Sequence, residues 1–420
     1  MSEITKLIDE INEKQIVDET HVSNITDALT QYTSESDFVE LFQLGDALMS
    51  FGHIYDAEKI FEYLHENGEH DDDIVAFLTD IYITDNRLDD ALSLINSAPK
   101  TVVTLMIKAE IFQQLNMPDI SFNLLHEARK LGDDVIIDFA IAELHNYEGN
   151  IVDAEEAYTK VLEKETEVNG VYIHLRLAKL YLLQMNHEKA LEHYDLVEEE
   201  HFQNEDLHDK ALAASLNEQY EMAKTLFTRV INNEPHMMQA YINLADIHEK
   251  ENEIESAINV IKSYLVQDDQ NAMMYSKLGT LHFKIDEVSE AIETLSRSIQ
   301  IDGSYQESIT RILEILLLSG RTEQLDQFEE YIDTDELVAE NIYLLAKVAA
   351  ENESYDDAER LYERAYEHLS HSVLFMTDYY YFLLEIASKE SYSVLNQLIL
   401  LEPDNIEWVH EKERLALERD

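Results

Sequence analysis

The 420-residue chain carries 88 Asp and Glu against 30 Lys and Arg, a formal net charge of −58, with 9 Gly, 4 Pro and no Cys. That balance lacks the clustered cations needed to grip DNA, RNA or an anionic membrane surface, and the missing cysteines exclude disulfides, thiol nucleophiles and Cys-ligated zinc. So few glycines and prolines predict nearly continuous helix with short turns.

The N-terminal stretch Met1-Ser-Glu-Ile-Thr-Lys lacks the apolar core of a signal peptide. No apolar run approaches the roughly 20 residues that span a bilayer; the nearest, residues 312–318, is interrupted by Glu314. A cytoplasmic protein is expected. Two helical patterns, residues 3–14 and 22–32, open the chain, and residues 1–37 are read as an N-terminal helical cap. The first hundred residues hold 23 Asp and Glu against 5 Lys and Arg. The acidic run of residues 70–73 is expected to favour the start of the helix that follows it.

From Phe38 onward the chain repeats itself. A small residue recurs as Ala57, Ala91, Ser121, Ala154, Ala190, Ala223, Ala257, Ala291 and Ala358, with Leu325 standing in between the last two; successive gaps are 34, 30, 33, 36, 33, 34, 34, 34 and 33 residues. Twelve residues before each stand Gly45, Thr79, Ala109, Ala142, Ala178, Ala211, Ala245, Gly279, Leu313 and Ala346, and four after each a mostly large residue such as Phe61, Tyr158, Tyr194, Phe227 or Leu295. Residues 238–302 show the unit twice over, with Tyr241 above Tyr275, His248 above His282 and Ala257 above Ala291. A period of this length means stacked supersecondary units.

These anchors resemble the tetratricopeptide repeat, a helix–turn–helix unit with small residues at positions 8 and 20 and a bulky one at 24. The resemblance covers residues 38–370 and implies an all-α, right-handed superhelical solenoid of about ten units with helical caps. The whole chain is similar to the acidic cytoplasmic repeat proteins of the YpiA type from low-GC Gram-positive bacteria. Positions 8 and 20 are where the two helices of a unit cross, so bulk there is excluded by close packing. Leu313 and Leu325 break that rule in the ninth unit, where an irregularity is expected, either splayed helices or a phase shift that makes Gln324 and Phe328 the anchors. Turns between paired helices carry Gly52, Asn86, Asn150, Asn186, Asn217, Asn252, Gly320 and Asn352, residues suited to a left-handed helix end, with Pro118 in the third turn. Pro235 stops the second helix of the sixth unit. The short and long gaps, at residues 96–99 and 165–170, are read as changes of loop length. After Ser370 a degenerate repeat follows (residues 372–388 and 392–401), then a capping helix at 405–418 with Trp408. The aromatics Phe375, Tyr379, Tyr380, Tyr381 and Phe382 are read as core of that final unit.

The chain contains no phosphate-cradling glycine motif, no H-E-x-x-H and no G-x-S-x-G. His368 with His371, and His187 with Glu188 and Glu192, offer too few ligands for a metal. No catalytic residue, metal or cofactor is assigned. His145, His248 and His282 share position 11, either as packing residues or as a pH-sensitive contact. The resemblance implies that position 9 of each first helix looks into a binding groove. That position reads Asp46, Asp80, Glu110, Glu143, Lys179, Leu212, Asp246, Thr280, Glu314 and Lys347. The carboxylates Asp46, Asp80, Glu110 and Glu143, with Asp246 and Glu314, are the candidate partner-binding residues, and four in succession form a ladder for an extended, basic segment of a partner protein. The cationic clamp by which some relatives hold acidic tails is absent from the first four units, leaving Arg176, Lys179 and Lys347 as isolated remnants. The function expected is a non-enzymatic scaffold or adaptor; the alternative is a peptide-sensing regulator. A homodimer through one end of the stack is compatible with the pattern.

Overall fold

The computed structural model describes residues 2–14, 17–68 and 72–419. Of the acidic run before the second repeat, His70 and Asp71 lie outside the described residues. The chain divides into two compact parts, Met1–His201 and Phe202–Asp420, and each is a row of antiparallel helix pairs. The fold is an all-α tetratricopeptide solenoid.

In the N-terminal part the helix Glu3–Lys14 buries Ile4, Leu7 and Ile11, and the helix Glu19–Asp27 with a 3₁₀ turn at Leu29–Gln31 follows it. Asp18 caps the second of these by accepting from the backbone of Thr20 and His21. The pairs then run Glu35–Ser50 with Ile54–Asn67, Asp72–Thr84 with Leu88–Ser97, Val102–Gln114 with Pro118–Leu131, Val135–Tyr147 with Ile151–Leu162, and Ile173–Leu183 with His187–Tyr194. The long gap before the fifth pair holds a β-hairpin, Glu167–Val168 against Val171–Tyr172. Its turn residues Asn169 and Gly170 both have positive φ, the chemistry a two-residue hairpin requires.

The C-terminal part continues with Asn204–Leu216 and Tyr220–Asn233, Met238–Lys250 and Ile254–Leu265, and Ala272–Lys284 and Val288–Ile301. The ninth first helix, Gln306–Ser319, is followed by 3₁₀ turns at Thr322–Gln327 and Glu329–Tyr331, with no second α-helix. Leu313 and Leu325 are both buried, and two leucines at the crossing hold apart backbones that must otherwise approach closely. Leu325 and Phe328 fill the space instead, and the loop closes where the Asp333 amide donates to the Gly303 carbonyl at 3.0 Å. The pairs Ala339–Glu351 with Tyr355–Leu369 and Val373–Glu385 with Ser391–Leu401 come next, and the helix Ile406–Arg419 ends the described chain. Phe375, Tyr379, Tyr380 and Phe382 are core, as read from the sequence, whereas Tyr381 is exposed. Trp408 packs edge-on to Tyr380 with ring centroids 6.0 Å apart and donates to Glu402 at 2.9 Å.

The crossing rule is visible in atoms. A Cβ on Gly279 would stand 2.6 Å from Leu295 Cγ. Ser121 is accepted at position 20 because its hydroxyl donates to the Ala109 carbonyl, at position 8, over 2.7 Å. The turns correct the sequence reading. The left-handed residue lies five before each crossing residue, at Gly52, Asn86, Asn116, Gly149, Met185, Glu218, Asn252, Asp286, Gly320 and Glu353, and Ala387 makes the same turn in the last pair. Asn150, Asn186, Asn217 and Asn352 are instead ordinary flanking residues with negative φ, and Pro118 begins a helix. Gly320 keeps this spacing to Leu325, so the ninth repeat is in phase. Among the described residues no helix is long and apolar enough to cross a membrane.

Candidate acidic groove

Position 9 follows directly on the buried residue of the crossing; it is exposed at Asp46, Asp80 and Glu110 and half-buried in the later repeats. In three repeats its side chain reaches the neighbouring first helix, where it meets position 6 of the next repeat. Three ion pairs follow that rule. Glu143 accepts from Arg176 Nε at 2.8 Å, Asp246 pairs with Lys277, and with the signs reversed Lys347 donates to Asp378 at 2.7 Å. Each links one repeat to the next across about one period of sequence.

The predicted ladder therefore separates into two groups. Glu143 is held by Arg176 and also accepts from the Tyr158 hydroxyl at 2.6 Å. Asp246 is held by Lys277, which reaches Glu249 as well at 3.1 Å. Glu314 pairs within its own helix with Arg311 at 3.0 Å. Asp46, Asp80 and Glu110 have no ion-pair partner among the described residues. The reason is in the sequence: position 6 of the following repeat is Phe77, Ile107 and Ala140 respectively, none of which carries charge. The sequence reading grouped all six carboxylates; the pairing at position 6 is the signal that distinguishes them.

A groove of about 640 Å³ lies along the first helices of repeats two to four, lined by Ala76, Val103, Met106, Ile107, Ile136, Ala140 and Tyr147, with the carboxylates of Glu110 and Glu143 in its wall. Val103 and Tyr147 are exposed there, Tyr147 by 65%. Glu110 opens to solvent at one edge, but the crowding around it and the charge of Asp80 push its carboxyl above the usual value. A carboxylate in this setting lacks the compensation that Arg176 gives Glu143.

The remnant cations of the clamp are engaged elsewhere. Arg176 serves Glu143 and Lys347 serves Asp378. The position-11 histidines divide likewise: His145 packs tilted against Phe122 with ring centroids 4.5 Å apart, and burial lowers its pKa; His248 and His282 bond Glu253 at 2.7 Å and Glu287 at 2.5 Å. A histidine pair missed in the sequence joins the two helices of repeat five, His174 Nδ1 to His193 Nδ1 at 2.9 Å. Among the described residues the group of metal-capable atoms that converges is Glu198, Glu200 and His201, all exposed.

Family models agree with this architecture. A family model described as YpiA-like tetratricopeptide repeats matches residues 113–166, one described as YpiA-like C-terminal tetratricopeptide repeats matches 342–405, and a general tetratricopeptide model matches 208–272. The chain is 22% identical over 364 residues to the TPR repeat-containing protein YpiA of Bacillus subtilis (strain 168), covering 85% of this chain and 86% of that one. Among solved structures, the C-terminal part of a TPR repeat-containing protein from Cytophaga hutchinsonii superposes with a TM-score of 0.44 at 13% identity, over 64% of this chain and 97% of that one. YrrB, described as a TPR protein with an unusual peptide-binding site, gives 0.36 at 18% identity, over 44% and 97%.

Proposed function

The chain is a tetratricopeptide-repeat protein similar to YpiA, and from that premise we propose that it is a non-enzymatic, cytoplasmic interaction scaffold whose N-terminal groove holds a basic segment of another protein. The observation that carries this reading is the run of three successive position-9 carboxylates, Asp46, Asp80 and Glu110, left unpaired where later repeats supply their own cation. A single exposed pair contributes only about 0–1 kcal/mol, so recognition needs several together. The sign of the wall and the net charge of −58 both favour a cationic partner and a rapid, salt-sensitive encounter. On this reading residues 1–37 close one end of the array and 371–420 the other.

The test is a pull-down from host cytosol at low and moderate salt with wild type, Asp46→Lys/Asp80→Lys/Glu110→Lys, and Asp246→Lys/Glu314→Lys. Partners lost with the first variant and kept with the second support the N-terminal groove. Partners kept with the first variant refute it and move the search to repeats five to eleven.

A further inference from the structure

The groove between repeats two and four has two chemistries side by side, and together they specify its occupant more narrowly than charge does. In the repeat-to-repeat pairs of this chain, the cation reaching a position-9 carboxylate comes from position 6 of the next first helix. At Asp80 and Glu110 that place is taken by Ile107 and Ala140; Glu110 stands in the groove wall over apolar surface, and Asp80 lies beside it, within electrostatic reach. A lysine or arginine arriving from outside would lay its methylene stem on this floor and its charged head against the acids, the way long cationic side chains cover apolar surface elsewhere. The wall beyond is apolar: Val103, Met106, Ile136 and Tyr147, with Val103 42% exposed and Tyr147 65%. A plain basic tail would leave those side chains wet. The volume, about 640 Å³, is within the range of sites that take several side chains of a ligand.

We propose that this groove binds a partner segment in which a lysine or arginine is flanked by a large apolar side chain, the cation meeting Glu110 with Asp80 beside it and the apolar group entering between Val103, Met106 and Ile136. The inference rests on the groove being the docking site proposed above. Glu143 takes no part in holding the cation, because Arg176 already occupies it. Arrival of a cation also relieves the raised carboxyl of Glu110, which packing and the charge of Asp80 hold in an unfavourable ionised state.

The experiment uses the full chain and two fluorescently labelled peptides of equal charge, one alternating lysine with serine and the other lysine with leucine, titrated by anisotropy at moderate salt. The lysine–leucine peptide is expected to bind about tenfold tighter or more, the gain from burying a leucine side chain. Val103→Ser alone, and Val103→Ser/Met106→Gln, should cut that advantage several-fold while leaving the lysine–serine peptide unchanged; Asp80→Asn/Glu110→Gln should weaken both peptides. Val103 is already exposed, so its serine variant keeps the test valid if the double variant fails to fold. Equal affinity of the two peptides, both lost in Asp80→Asn/Glu110→Gln, would overturn the apolar anchor and leave the acidic groove standing. A leucine advantage that survives both wall variants would also overturn the anchor. No binding by either peptide, or binding indifferent to Asp80→Asn/Glu110→Gln, would remove the groove reading along with it.

Discussion

The residue that closes each helix pair must turn the chain with positive φ, and only some of those present do so without strain. Gly149 has φ +71 with no atom within 4 Å of where a Cβ would be, whereas Ala387 holds φ +54 with a Cβ already in place. The left-handed conformation costs an L-residue roughly 1–2 kcal/mol, partly offset by the greater freedom of unfolded glycine. Ala387→Gly is therefore expected to stabilise the chain by about 0.5–1 kcal/mol, and Gly149→Ala to destabilise it by a similar amount, both read from urea midpoints. The sequence shows these turns by their glycines and asparagines, but five of them carry Met, Glu, Asp or Ala, so composition misplaced several by one residue. Only the constant spacing to the crossing residue recovers them. Glu110 gives a second residue-scale outcome. Its folded pKa lies above the ordinary value of 4.5, so the folded chain is favoured while the group is protonated and loses that advantage as pH rises through the folded value. Glu110→Gln should raise the melting temperature at neutral pH, with the gain shrinking as pH falls toward 4.5 and below. Equal melting temperatures at pH 7 would mean that the groove does not strain this carboxylate.

At the scale of helices, the two members of a pair are held by what stands at the crossing. Gly279 faces Leu295 Cγ and the Ala291 carbonyl so closely that an alanine methyl has no room. Gly279→Ala should cost about 1–3 kcal/mol by overpacking, despite alanine's better helix propensity; an unchanged denaturation midpoint would show that the pair can slide apart. The ninth repeat is the natural version of that substitution, with leucines at both crossing positions and 3₁₀ turns where a helix would be. Its irregularity was legible from Leu313 and Leu325, because the rule they break is steric and local. The histidine pair in repeat five was not legible, since His174 and His193 are 19 residues apart and meet only after the helices have crossed. Burial lowers the pKa of both, and His193 is lowered further by the charge of His174 and Lys189 against the opposing Glu155, with Tyr181 packed on its ring. The folded state thus binds fewer protons than the unfolded one below the ordinary imidazole value of 6.5. Stability is full above that value and is lost as pH falls from it through the depressed values. One hydrogen can lie between two Nδ1 atoms, and two cannot. Wild type should lose more melting temperature between about pH 7.5 and about pH 5 than His174→Phe does; identical slopes would place the proton uptake elsewhere.

For the whole chain, the balance to weigh is between many exposed ion pairs and a net charge of −58. Pairs such as Arg87 with Asp90 or Lys160 with Glu156 are largely exposed, contribute about 0–1 kcal/mol each and weaken in salt. The excess of acids acts in the opposite sense, since it repels itself across every repeat and is relieved by screening. At 0.1 M salt the screening length is about 10 Å, short enough to uncouple the surplus of distant repeats but longer than the 2.8 Å between Arg176 and Glu143 or the 3.0 Å between Lys164 and Asp133. Added salt should therefore remove more repulsion than attraction. The melting temperature is expected to rise between about 20 mM and about 500 mM sodium chloride while binding of any basic partner weakens over the same range. The opposite trends of stability and affinity are what distinguish this account: a melting temperature that falls with salt would make the ion pairs dominant, and affinity that rises with salt would make the partner's contact apolar rather than ionic. The excess charge was readable from composition alone, but its consequence for binding was not, because composition does not say which carboxylates the fold has already paired.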